Sequence, residues 1–496
     1  MQKLSGKAKE GLLCGAFMLC VLVFLLVFFL AYRPLILDNM DDWTYISFSR
    51  AAVPLWDSWN PSKVLPEILM PACAQLAVWF VLPVAGDYVL SLTIVYNVFF
   101  SLIIALYIGM FLRLLMRRIS IGAALAAMIS ALFLVFHFRS WMSPWIPSQH
   151  VFYSGCVVTA YNYTVPALLN MILVLHLQTR EPDCADRPLA TGFLVILLYL
   201  AVFSNLFSSI VIAAYASYCL LEGFVIKLLK RKSMRQWLRE SVLYISILLS
   251  WLVSMVYELS GGRAASMASE EPLLDRLKET VSILLDVIER MEDTVFYLSL
   301  GVIAVGVVLL VLSGCRKEED QSFARMLIRN LFCSGVTLLY LLLLSAVVEK
   351  AYINRMDVLI CVMFYVFSAV FISMAYILKK WKRAAVALPL VTFVIAFDVL
   401  LGIQSFAYSS TLALPPDECM AINQAFMQQI LEADEAGMHE MTLIVPEGNS
   451  QMGNWPYSYN MGLRMVNSLK SHEMIKHIDR IVIEPDAEFF TKFNIR

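Results

Sequence analysis

The feature that most constrains this chain is a succession of apolar runs, most about twenty residues long, separated by short clusters of Lys and Arg. A helix rises about 1.5 Å per residue, so such a run is long enough to cross roughly 30 Å of hydrocarbon. Composition agrees: of 496 residues 60% are hydrophobic and 16% charged, against roughly a quarter charged in an ordinary soluble domain. The spacing predicts crossings near 11–35, 88–116, 120–138, 156–177, 188–205, 207–226, 240–258, 294–314, 328–348, 357–378 and 384–406, about eleven in all. The expected fold is an all-α polytopic membrane protein.

The basic residues set its orientation. Lys3, Lys7 and Lys9 precede the first run, and further clusters stand at Arg117 and Arg118, at 227–239, at Arg316 and Lys317, and at 379–383. The excess of Lys and Arg in cytoplasmic loops places all of these, and the N-terminus, inside. One apolar stretch, Glu67 to Val84, would break that alternation if it crossed. It carries Pro71 and Pro83, so the expectation is that it lies in or re-enters the outer interface. The first outer loop is then 36–87, and 258–293 is a second outer segment whose 270–292 part has apolar residues at helical spacing. From about 407 the chain changes character. A helix, a strand (Met441 to Pro446), a second helix and a second strand (Arg480 to Glu484) predict a small extracytoplasmic α/β unit over 407–496.

A net charge of −1 argues against nucleic acid as a partner, because displacing phosphate counterions needs a basic face. The ten cysteines lie mostly in apolar runs without CxxC or Cys/His spacing, so neither a disulfide framework nor a zinc site is expected. The chemistry is expected instead where the first run leaves the membrane, at Asp38-Asn39-Met40-Asp41-Asp42-Trp43-Thr44-Tyr45. Carboxylates beside a bilayer are costly unless they meet water, a partner or a substrate. Other polar or aromatic residues expected on the same side are Lys63, Glu67, His150, Tyr161, Arg263 and Arg355. Cations that hold phosphate oxygens, rings that stack on sugars and a carboxylate that takes a hydroxyl proton together suit an anionic, sugar-bearing lipid.

Taken in order, the pattern resembles the GT-C superfamily of membrane glycosyltransferases. A cytoplasmic N-terminus and one span lead to an acidic first loop at Asp41-Asp42. Trp59-Asn60-Pro61-Ser62-Lys63 and the proline-containing stretch to Val84 then stand where that superfamily has outer juxtamembrane helices, and the next span ends at Arg117-Arg118. The run from Ser154-Gly155 to Tyr161-Asn162-Tyr163-Thr164-Val165-Pro166 resembles a Gly…Tyr…Pro feature of uncharacterised bacterial members. No WWD signature of oligosaccharyltransferases is present, so protein N-glycosylation is not indicated. The resemblance implies a GT-C-like bundle over 1–406 and transfer of a sugar from a polyprenyl-phosphate carrier to an envelope glycan, lipid or protein at the outer face of the cell membrane. It implies Asp41 or Asp42 as general base, or as ligands of a divalent Mg or Mn ion, and Lys63, Arg263 and Arg355 at the donor phosphate. Trp43, Tyr45, Glu67, His150 and Tyr161 would contact substrate. Two other readings stay open: a flippase for a lipid-linked saccharide, which predicts ionisable residues deep in the spans, with Glu222 and Asp398 to watch, and a non-catalytic assembly subunit that docks through its tail.

Overall fold

The computed structural model describes residues 6–55, 59–139, 141–143, 146–179, 188–231, 233–261, 271–315 and 317–495. It is mostly helical. In chain order the helices are α1 (Gly6–Tyr32), α2 (Met40–Tyr45), α3 (Val64–Ala85), α4 (Tyr88–Ile119), α5 (Ala123–Arg139), α6 (Val157–Thr179), α7 (Leu189–Val202), α8 (Leu206–Leu229) and α9 (Met234–Leu259). There follow α10 (Leu273–Glu289), α11 (Asp293–Ser313), α12 (Glu318–Val348), α13 (Met356–Lys380) and α14 (Ala384–Leu401), then α15 (Pro416–Glu435), α16 (Met461–Ser471) and α17 (Phe489–Lys492). Strands β1 (Trp141–Ser143) and β2 (Ile146–Gln149) form a small hairpin, and β3 (Glu440–Pro446) and β4 (Arg480–Asp486) pair in parallel in the C-terminal segment.

Among the described residues ten helices are long and apolar enough to cross a membrane by length and composition, and α3 is one of them, although the placing of the basic clusters predicts that the stretch Glu67 to Val84 does not cross. The expected runs 120–138 and 188–205 come out shorter, as α5, which starts only at Ala123, and as α7, which ends before the Ser204-Asn205 break. Residues on α9, α11 and α14 such as Val256, Leu312 and Phe393 are more than 60% exposed. Apolar surface on that scale has no place against water and marks the lipid-facing side of a bundle.

The bundle has two unlike ends. At one, Arg118 Nε donates to the Gln178 carbonyl at 2.5 Å, Lys379 Nζ to the Ile119 carbonyl at 2.7 Å, and Lys380 pairs with Asp320 at 2.7 Å. At the other, Arg33 Nε donates to the Phe406 carbonyl at 2.7 Å, and the Asn97 side chain satisfies both backbone groups of Leu35 at 2.9 Å. Lys63, just before α3, reaches Tyr45 of α2, while Asp87, just after it, accepts the Gln424 amide of α15 at 2.6 Å. Both ends of α3 therefore meet the second face. Gly86, at φ +69°, makes the turn into α4, which Asp87 caps through the Leu90 amide.

The C-terminal segment packs on that same face. Residues β3, α16 and β4 form a strand–helix–strand unit in which Gly462 lets α16 approach the backbone of β4: a Cβ there would stand 2.1 Å from the Ile481 carbonyl oxygen. This unit is bonded to the acidic stretch. Ser468 Oγ donates to the Trp43 carbonyl at 2.6 Å, Asn423 Nδ2 to the Leu37 carbonyl at 2.6 Å, and Met40 N to the Pro456 carbonyl at 3.2 Å.

Candidate functional site

Between α2, the entry to α3, and the ends of α6, α8, α9, α12 and α13 lies a cavity of about 280 Å³. Asn39 builds its first wall. Its side-chain oxygen accepts the amides of Asp41 and Asp42 at 2.9 and 3.1 Å, starting α2 as an N-cap should. That turn sends Asp41 and Tyr45 to the cavity. Lys63 joins them, its Nζ 3.3 Å from the Tyr45 hydroxyl.

The second cation is Arg355, which N-caps α13. Its Nε and Nη2 form a two-point pair with Asp357 at 3.0 and 2.7 Å, and its guanidinium lies 4.3 Å over the Tyr163 ring and 5.0 Å from that of Tyr352. Such a clamp fixes the plane of the guanidinium and leaves Nη1 outside the pair. Thr159, Asn162 and Tyr163 come from the first turns of α6, which widen to a π-helical turn over Ala160–Thr164; such turns recur at functional sites. Asn205, capping α8, and Glu258, accepting from Ser62 Oγ at 2.6 Å, complete the polar half. Leu206, Leu259, Leu344 and Val347 make the other half apolar.

Several expected site residues lie elsewhere. Asp42 is fully buried, and its two carboxylate oxygens accept the backbone amides of Val158 at 2.7 Å and Asp38 at 2.9 Å. It holds α2 against the start of α6, and burial pushes its carboxyl up to about 8. Both of its oxygens are thus engaged by backbone amides, and it is not among the residues that line the cavity. Trp43 is buried and stacked on Tyr88 at 6.4 Å, because α2 has only one face toward the cavity and Trp43 is on the other. Glu67 is buried against Arg50 at 2.8 Å, behind Lys63. His150 sits among Phe28, Phe29, Phe138 and Phe406, where burial lowers its ring to about 3. Tyr161 is buried and donates to the Tyr96 carbonyl at 3.0 Å. Arg263 lies outside the described residues.

The cavity thus gathers Asp41, Tyr45, Lys63 and Arg355 of the expected set and adds Asn162, Tyr163, Asn205, Glu258 and Tyr352. Asn162 and Tyr163 follow Tyr161 directly, and the helical turn that buries the first presents the next two. Glu258 ends a predicted span, and Asn205 separates two; a polar residue at such a position was the available signal.

The donor set does not fit the metal ion implied for Asp41 and Asp42 together, because Asp42 is spent on backbone amides. Among the described residues no three His, Cys, Asp or Glu side chains converge. Glu222 and Asp398 are paired, with Arg329 at 3.2 Å and with Arg139, respectively. No protein family, curated protein or solved structure matches the chain.

Proposed function

We propose that this protein is a membrane glycosyltransferase of GT-C type, moving a sugar from a polyprenyl-phosphate carrier to an envelope acceptor. The observation that carries the reading is the convergence of Asp41 and a second carboxylate, Glu258, with two cations, Lys63 and Arg355, around a cavity whose other half is apolar. A substrate with a charged head, hydroxyl groups and a hydrocarbon chain matches all three features. The volume, near the lower bound of about 300 Å³ for small-molecule sites, suits one sugar phosphate rather than an oligosaccharide.

In this reading Asp41 takes the proton of the acceptor hydroxyl as its oxygen attacks the anomeric carbon. The bond from that carbon to the phosphate oxygen breaks, and the lipid phosphate leaves with the electron pair. Lys63 and Arg355 stabilise its charge without a metal ion, the second held rigid by Asp357 and Tyr163. Asn162, Asn205 and Glu258 supply partners for sugar hydroxyls. By the positive-inside rule the end with Arg118, Lys379 and Lys380 is cytoplasmic, which puts the cavity and the C-terminal α/β unit on the outer side and makes α3 a juxtamembrane helix.

The test is release of sugar from a pool of polyprenyl-phosphate sugars by the purified protein in lipid nanodiscs. The native chain should discharge sugar and the Asp41→Asn variant should not. Lipid binding with no discharge by either protein, acceptor supplied, would favour the flippase reading, since nanodiscs have no compartments to transport between.

A further inference from the structure

A second cavity, of about 620 Å³, opens between α8 and α12 at the opposite, basic end of the bundle. Its polar lining includes Lys230, Gln321 and Arg325, and its apolar lining includes Leu221, Val225 and Ile226. Lys230 and Arg325 are exposed, and neither forms an ion pair among the described residues. Glu222 also lines the cavity, but it is neutralised by Arg329, whose guanidinium lies 5.4 Å from the centre of the Tyr218 ring and whose Nε is buried with no hydrogen-bond partner. The lining therefore carries net positive charge over an apolar groove between two membrane helices.

We infer that this groove binds an anionic glycerophospholipid, its phosphate on Lys230 and Arg325 and one acyl chain along Leu221, Val225 and Ile226. Charge complementarity and position both support that occupant. A basic pocket between helices at the cytoplasmic rim meets lipid headgroups at their own depth. A soluble anion would leave the apolar wall wet, whereas an acyl chain covers it. The site is some distance in sequence and in space from the Asp41 cavity, being at the other end of α8 and α12, and does not depend on what that cavity does.

The test uses the full chain purified in detergent, with phosphatidylglycerol or phosphatidylcholine added and bound lipid counted by native mass spectrometry. Phosphatidylglycerol should be retained preferentially. A Lys230→Gln, Arg325→Gln variant should bind it about 25-fold more weakly, at roughly fivefold per cation removed, while Lys382→Gln, Arg383→Gln, also at the basic end but outside the groove, should bind as the native chain does. Cys315, exposed in the lining, gives a second readout that needs no variant: phosphatidylglycerol should slow its labelling by maleimide, followed by peptide mapping. Equal losses in both double variants would overturn the site in favour of diffuse attraction to the basic rim. Equal protection of Cys315 by inorganic phosphate or by phosphatidylcholine would overturn the anionic-lipid assignment.

Discussion

Asp41 and Asp42 are neighbours in the chain with opposite surroundings: Asp41 lines the cavity, while both oxygens of Asp42 accept backbone amides, from Val158 at 2.7 Å and Asp38 at 2.9 Å. Asn39 produces the split. By capping α2 it fixes the rotation of that single turn, and one residue is about 100° of helix.

The two carboxylates should therefore fail differently. Asp41→Asn should abolish sugar discharge, by a factor of 100 or more as general-base removal does, with an unchanged melting temperature. Asp42→Asn should lower stability by roughly 1–3 kcal/mol, because an amide nitrogen then faces a backbone N–H that has lost its acceptor. Paired melting and activity measurements check this; a stable but inactive Asp42→Asn protein would contradict the structural role.

Arg355 should depend on its ring partners rather than on their hydroxyls. Tyr163→Phe keeps the face 4.3 Å below the guanidinium and should leave donor KM within about twofold. Tyr163→Leu removes a cation–π contact worth roughly 1–2 kcal/mol and should raise it about tenfold. Arg355→Lys, which cannot make the two-point pair with Asp357, should do at least as much. Donor titrations of the three variants decide the matter.

The sequence showed the helices well because lipid imposes a simple rule: long apolar runs, charges at the ends. It also showed the helix–strand–helix–strand order of the tail, through period-two and period-3.6 patterns separated by Pro and Gly. The cavity was legible only in part. Asp41, Tyr45, Lys63 and Arg355 stood out as polar or aromatic residues at the ends of apolar runs, but so did Asp42, Trp43, Glu67 and His150, and nothing local distinguishes them. What separates Asp41 from Asp42 is the amide of Val158, 116 residues away. What hides His150 is a cage from α1, α5 and Phe406. Such partners come from tertiary packing, and a one-dimensional reading has no access to them.

Acid should weaken the contact that His472 makes between the tail and the bundle. His472 is buried with its Nδ1 2.7 Å from the Tyr88 hydroxyl, and burial lowers its ring to about 4, as it lowers that of His150 to about 3. With folded values below the unfolded value of about 6.5, the unfolded chain binds more protons, so stability is full above that value and falls as pH drops toward the folded one. Between pH 7 and pH 5 each histidine should remove roughly 2 kcal/mol. A His472→Gln variant, which lacks that titrating ring, should lose less of its melting temperature over that interval than the native chain; an identical loss would mean that His472 does not contribute to the acid response.

The tail itself should prove inseparable from the site. Asp38 accepts from Ser410 Oγ at 3.0 Å and from the Thr411 amide, Trp43 and Leu37 lend carbonyls to Ser468 and Asn423, and Asp38 in turn donates its amide to Asp42. Removing these partners would leave several buried polar groups of the acidic stretch without bonds, each costing roughly 1–3 kcal/mol. The mildest probe is remote: Gly462→Ala, whose methyl group would stand 2.1 Å from the Ile481 carbonyl oxygen, cannot be accommodated without moving α16, and with it Ser468. We expect that variant to lower the melting temperature and the sugar discharge together, with faster proteolysis between 37 and 50, while Gly437→Asn, in an open left-handed turn of the same unit at φ +73°, should change neither, Asn tolerating that conformation. Full discharge by a Gly462→Ala protein whose tail is displaced would show that Asp41 keeps its place without the tail, and the carbonyl bonds to α15 and α16 would then serve stability alone.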